Sequence, residues 1–209
     1  LGYRFMCAEA AWIMSGDNRV SSISPFSSSI ASFSDDGIRF FGAYGPRVID
    51  QLSYVLKALI EDPDTRQAVM TIWRPNPPKS KDIPCTVSVQ WMIREDRLDC
   101  FMNMRSSDAW LGVPYDWFNF SMLSLGILAE LNRSGRCNYD LGCLHFYAAS
   151  QHIYEPEFHK VRQVLDEANK PGGKIPYKPL NTDEFATYQE VVDYLLAIAR
   201  KWVPEKKVE

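Results

Sequence analysis

An α+β fold, a mixed sheet packed with helices in one domain spanning residues 1–209, is what this sequence predicts. Three observations lead there. Two runs of alternating apolar residues, Thr86–Ile93 and Arg97–Met104, meet at Glu95-Asp96 as a hairpin. Tyr3–Met14 and Trp117–Leu131 are apolar round most of a helical circumference, the mark of a buried helix. The other elements follow no regular strand–helix alternation, which argues against a doubly wound sheet.

Tyr3–Met14 carries Tyr3, Phe5, Met6, Ala10, Ala11, Trp12, Ile13 and Met14, with Glu9 in the middle, and ends at Gly16-Asp17-Asn18. The serine-rich stretch Ser21–Ser34 reads as a surface loop and Ile38–Phe41 as a short strand. Val48, Leu52, Val55, Leu56 and Leu59 make 48–60 an amphipathic helix, stopped by Asp62-Pro63-Asp64. Arg66–Trp73 reads as a strand, and a proline-rich loop from Asn76 to Lys81 leads into the hairpin. The hairpin presents Val87, Val89, Trp91 and Ile93 from one strand and Leu98, Cys100, Met102 and Met104 from the other. Tyr139–Tyr147 is expected as a strand, Gln151–Glu167 as a helix, Pro171-Gly172-Gly173 as a loop and Tyr188–Trp202 as a closing amphipathic helix.

Hydrophobic residues are 46% and charged residues 23% of the 209, ordinary for a globular chain with a substantial core. A net charge of −3 gives no sequence-independent hold on nucleic acid polymers. No apolar run reaches bilayer-spanning length, and no signal peptide is visible. Five cysteines without paired spacing read as free thiols in a reducing cytoplasm, and no metal-ligand spacing is present. The chain opens at Leu1 inside a helical pattern, so upstream residues are expected to be missing.

The chemistry concentrates around the hairpin. Pairing its strands brings Cys85 close to Arg105, which is expected to lower the thiol pKa and to offer a fork for a phosphate. Glu9, a carboxyl among apolar neighbours, is expected to have a raised pKa. Each residue also has a plainer reading: Cys85 as a buried hydrophobe, Arg105 as a surface charge, His145 as a core histidine. Asp116 suits the N-cap of a helix starting at Trp117.

Six segments in order resemble the thymidylate synthase family, and within it the pyrimidine 5-hydroxymethylases of cytidylates. They are Glu9 with Trp12, Gly16 and Asp17; Tyr44-Gly45; Asp62 to Arg66; Pro84-Cys85 followed by Gln90; Arg105 to Pro114; and His145-Phe146-Tyr147. The resemblance implies a thymidylate synthase-like fold and a dimer formed through the sheet, with Arg66 reaching the partner's phosphate site. It implies a pyrimidine nucleoside monophosphate and 5,10-methylenetetrahydrofolate as substrates, with no metal. Cys85 would attack C6, Glu9 would relay protons or orient water, and Tyr44 would assist proton removal at C5. Arg105 and Ser106 would hold the phosphate, and His145 and Tyr147 the sugar 3′-hydroxyl. Gln90 would also face the nucleotide. Asp108 and Gly112 would shape the turn beside the base and the folate.

Where the synthases end a Gly-x-Pro-Phe-Asn segment on a base-reading asparagine, this chain has Gly112-Val113-Pro114-Tyr115-Asp116. A carboxylate only accepts hydrogen bonds, so Asp116 fits the amino edge of cytosine and repels uracil O4. If Asp116 is only a cap, a thymidylate synthase or a uridylate hydroxymethylase follows instead. The shielding tryptophans of the synthases are replaced by Ile30 and Phe33, which would admit water to the exocyclic methylene. A cysteine hydrolase built on Cys85 and His145 is a rival of another class, and a catalytically silent nucleotide-binding relative a further one.

Overall fold

The protein, described by a computed structural model over residues 2–135, 138–168 and 181–201, is built round a four-stranded sheet. Its strands are β1 (Val69–Thr71), β2 (Thr86–Arg94), β3 (Arg97–Met104) and β5 (Asp140–Ala148), in the order β1-β2-β3-β5. The first three are antiparallel, and β5 lies parallel to β3. A short parallel pair, β4 (Ser107–Asp108) with β6 (Gln151–His152), sits beyond the sheet end.

Only one face of the sheet meets the core. Val89, Trp91 and Ile93 of β2 and Leu98, Cys100, Met102 and Met104 of β3 are buried there, as alternation requires. Val87, expected on the same face, is turned out to solvent. The register slips between Thr86 and Ser88, and the N–H groups of Ile72 and Trp73 both donate to the Val87 carbonyl. This is a bulge, and it flips the side chains before it relative to the pleat after it.

On the core face lie α1 (Tyr3–Met14), α3 (Tyr44–Glu61) and α4 (Val113–Arg133). α1 is buried nearly all round because α6 (Tyr188–Lys201) also packs on it. Trp91 is wholly buried between sheet and α4, and its indole N–H donates to Ser124 Oγ at 2.9 Å.

α3 and α4 both start earlier than the sequence suggested, at Tyr44 and Val113 rather than Val48 and Trp117. Pro46 and Pro114 explain the difference. A proline in a first turn has no N–H that the helix needs, so it opens a helix instead of blocking one.

The segment 21–34 is more ordered than a loop, containing the short helix α2 (Val20–Ile23) and a 3₁₀ helix at Ser28–Phe33. Ile38–Phe41 makes only one isolated bridge, Arg19 to Arg39. The strand expected over Arg66–Trp73 shortens to three residues. The helix expected from Gln151 begins at Phe158, after β6 and a 3₁₀ turn at Glu155–Glu157; it is α5 (Phe158–Ala168). Pro171-Gly172-Gly173, Cys137 and Trp202 lie outside the described residues.

Candidate active site

A cavity of about 370 Å³ opens where α1, the start of α3, the approach to β2 and the start of α4 converge. Its wall brings together Glu9, Tyr44, Cys85, Ser106, Asp108, Gly112 and Asp116, all singled out in the sequence. Ile30, Phe33, Trp12 and Phe40 supply an apolar side. A close backbone contact fixes the geometry at one end: a Cβ on Gly45 would stand 2.5 Å from the Asp17 carbonyl, so Tyr44-Gly45 docks directly on the turn ending α1.

Cys85 is half-buried just before β2, and the hairpin does place it beside Arg105. Arg105 donates from Nε to the Pro84 carbonyl (2.9 Å) and from Nη2 to the Ile83 carbonyl (3.2 Å), and stacks over Trp73. The expected fall in the thiol pKa does not result. Burial raises it, Arg105 pulls it down, and Asp116 and Asp82 push it up again, leaving it above the usual thiol value.

Two carboxyls face one another across the wall. Burial drives Glu9 up to about 7, against a hydrogen bond from Asn119 Nδ2 to Glu9 Oε2 at 2.9 Å. Asp116 also rises to about 7, from burial and from the charge of Glu9. The helix N-terminus favours a carboxylate by only about 0.3–1 kcal/mol. A rise of this size corresponds to roughly 4 kcal/mol, so desolvation outweighs the dipole. Asp116 is not a cap: its own N–H already donates to the Gly112 carbonyl, and Gly112 occupies the N-cap position.

Tyr44 Oη accepts from the Thr86 backbone N–H at 3.2 Å, and burial, Asp116 and Cys85 hold its pKa well above the usual phenol value. Asp108 Oδ1 accepts from the N–H groups of Trp110 and Leu111, so this carboxylate shapes its own loop.

Among the described residues four buried side-chain atoms have no partner, and three belong to the cavity wall: Trp12 Nε1, Ser107 Oγ and Asn119 Oδ1. Unpaired buried polar atoms are costly, and their clustering on one wall suits a polar ligand. Asn119 was missed in the sequence, though it sits one turn from Asp116 on the same helix face. Asp82, which accepts from Gly42 N–H at 2.6 Å, was missed too.

Five expected site residues are not on the wall: Arg105 stands beside it, exposed, next to Cys85, and four lie farther off. Arg66 is exposed before β1, its carbonyl accepting from Gln90 Nε2 at 2.8 Å, and Gln90 points away from the core. His145 stacks on Phe101 on the outer sheet face, and Tyr147 beside it is 63% exposed. His145 therefore makes no pair with Cys85, which removes the basis for a cysteine hydrolase. A second His-x-Tyr, at His152 and Tyr154, is tied to the segment that lines the cavity. β6 is bonded to the cavity segment through Ser107 N–H to Ser150 O and Ala109 N–H to His152 O, both 2.8 Å. The rings of His152 and Tyr154 meet edge to face at 5.0 Å. Repetition of the pattern seven residues along the chain was visible in sequence; which copy lay beside Asp108 was not.

The outer face also gathers Asp99, Cys143 and His145, whose ligand atoms lie within 4.8 Å of one another. Sequence spacing did not reveal this group, because two strands supply it. Asp99 Oδ1 already accepts from the Cys143 N–H at 2.7 Å. No helix of the described residues is long and apolar enough to cross a membrane, and Cys7, Cys85, Cys100 and Cys143 are free.

The family model described as thymidylate synthase matches residues 2–195. The chain belongs to the thymidylate synthase family. Thymidylate synthase from T4 phage superposes with a TM-score of 0.71 at 19% identity, covering 96% of this chain and 76% of that one. Thymidylate synthase A from Bacillus subtilis gives 0.74 at 20% identity, covering 91% and 70%. These likenesses show the fold, which is the thymidylate synthase-like one expected. Proteins named deoxyuridylate hydroxymethyltransferase are similar in sequence. That of Pseudomonas phage M6 is 29% identical over 91% of this chain and 59% of its own length. That of Delftia phage PhiW-14 is 30% identical over 96% and 58%. The chain thus spans somewhat under two thirds of these family members.

Proposed function

We propose that the protein is a pyrimidine nucleoside monophosphate 5-hydroxymethyltransferase. The observation that carries this reading is the single wall uniting Cys85, Tyr44 and the carboxyls Glu9 and Asp116. The hydroxymethyltransferase names of the phage relatives support it. Those names favour deoxyuridylate as substrate. A cytidylate is the second reading, favoured by a carboxyl rather than an amide at Asp116.

The Cys85 thiolate adds to C6, forming an S–C6 bond and turning C5 into a nucleophile. Methylenetetrahydrofolate supplies the one-carbon unit to C5 when bound, and the apolar side of Trp12, Ile30, Phe33 and Phe40 suits its flat ring. The C5 proton would pass to a water held by Tyr44, the folate amine would leave as tetrahydrofolate, and a water would then add to the exocyclic methylene. The C5=C6 double bond re-forms and Cys85 leaves as thiolate. Glu9, with a pKa of about 7, is suited to take the proton of that water. Tyr44 keeps its proton and therefore holds water rather than acting as base. Arg105 through Nη1 and Ser106 through its hydroxyl would hold the phosphate, and His152 and Tyr154 the sugar. A homodimer through the outer sheet face would bring Arg66 to the partner's phosphate; the exposure of Val87 and Tyr147 there supports this.

The test is tritium release from C5 of labelled dUMP, dCMP and CMP with methylenetetrahydrofolate. Release with tetrahydrofolate and a hydroxymethyl product is expected. Dihydrofolate as product would mean the reductive, thymidylate-forming route, and no release would end the reading.

A further inference from the structure

We propose that Asp116 meets the base as a carboxylic acid and thereby reads both the keto and the amino pyrimidine edge. This rests on the cavity holding a pyrimidine nucleotide, as argued above.

The surroundings of Asp116 supply no partner for a negative charge. On its own helix the nearest polar neighbour, Asn119, gives its Nδ2 to Glu9. From α1 it faces Glu9, from α3 the protonated Tyr44, from the approach to β2 Cys85 and Asp82, and from the β4 loop Asp108. None is a cation. The nearest guanidinium groups are committed to carbonyls: Arg105 to Pro84 and Ile83, Arg47 to Ala43 and Phe41. No side-chain or backbone donor of the described residues bonds the Asp116 carboxyl. A wall with four acids and no cation keeps a proton on its most buried pair, and burial and Glu9 act in that direction.

A carboxylic acid has one donor and one acceptor on two oxygens, and moving the proton exchanges them. To uracil it donates to O4 and accepts from N3–H. To cytosine it accepts from the amino group and donates to N3. An asparagine needs its amide turned over to make the same exchange. The carboxylate accepts only, and faces uracil O4 with a repulsion. The conflict between a carboxyl at this position and relatives named for deoxyuridylate therefore disappears.

The experiment measures proton uptake on nucleotide binding, by titration calorimetry at pH 8 in buffers of different ionisation enthalpy. The phosphate, with a second pKa of about 6, is already a dianion there and takes up nothing. Wild-type protein is expected to take up close to one proton with dUMP and with dCMP. Asp116→Asn should take up close to none with dUMP. Glu9→Gln should keep the linkage but move its midpoint to lower pH, because the charge that raises Asp116 is gone. Uptake with dCMP alone, or equal uptake in wild type and Asp116→Asn, overturns the proposal. Failure of both nucleotides to bind wild type would instead remove the nucleotide reading beneath it. Turnover adds an independent arm: the fall in kcat/KM for dUMP above pH 7 expected in wild type should be absent in Asp116→Asn, where only the titration of Glu9 and Cys85 remains.

Discussion

Arg105 fastens the backbone that carries Cys85: two of its guanidinium nitrogens bond the carbonyls of Pro84 and Ile83, and its own N–H donates to the Cys85 carbonyl at 2.9 Å. The cation is thus first a clamp on the nucleophile's loop and only second an electrostatic aid. Arg105→Ala should release that loop and remove the one charge that lowers the thiol pKa. Alkylation of Cys85 by iodoacetamide at pH 7.5 is expected to slow, and Arg105→Lys to restore part of the rate but not the loop geometry. Faster alkylation that persists after correction for exposure would contradict the electrostatic part.

Replacing the thiol isolates its role. Cys85→Ser should cut C5 tritium release by at least about a thousandfold while nucleotide binding persists, as expected when a covalent nucleophile is lost. Mass spectrometry with a 5-fluorinated nucleotide and folate should show an adduct on Cys85 in wild type alone.

Two raised carboxyl pKa values have a stability consequence whose sign is fixed. Glu9 and Asp116 titrate near 7 when folded and near 4 when unfolded, so between those values the folded state binds more protons. Stability must fall as pH rises through that window, by up to about 1.4 kcal/mol per pH unit for each carboxyl. Melting temperatures from pH 5 to 8 should slope downward in wild type. Glu9→Gln and Asp116→Asn should each flatten the slope and gain most at pH 8.

The two His-x-Tyr segments can be told apart by substitution. His152→Phe is expected to raise the nucleotide KM about fivefold to tenfold, the worth of one hydrogen bond of about 1 kcal/mol. His145→Phe keeps the stack on Phe101 and should leave KM unchanged. The reverse pattern would return the sugar contact to β5.

In the core, Ser124→Ala leaves the buried Trp91 N–H without its acceptor. Urea titration should show a loss of about 1–3 kcal/mol, with the tritium-release rate of the folded protein preserved.

Much of this architecture was legible in the residue pattern, and the failures share causes. The hairpin and the buried helices α1 and α4 follow from periodicity, which side-chain burial enforces directly. Helix starts were placed late, after Pro46 and Pro114, because apolar periodicity begins only beyond the proline that opens each helix. Val87 was put on the wrong face, because a bulge changes the count by one without leaving a mark in composition. Within the site, Glu9 and Cys85 were legible from their chemistry and neighbours, Tyr44 and Asp116 from the family resemblance, and the cavity unites all four. His152 and Asn119 escaped because their significance depends on which strands and helices become adjacent. The ionisation of Cys85 was misjudged for a related reason: one close cation was visible in sequence, while Asp82 and Asp116 acting against it were not.

The bond from Asn119 to Glu9 joins positions 110 residues apart. Glu9 and Asp116 are therefore each held on a helix that only tertiary packing brings to the other. Excising either helix, or dividing the chain between them, separates acid from nucleophile. Competence for chemistry accordingly requires α1 and α4 to be packed on one another, and any opening that parts these two helices dismantles the site.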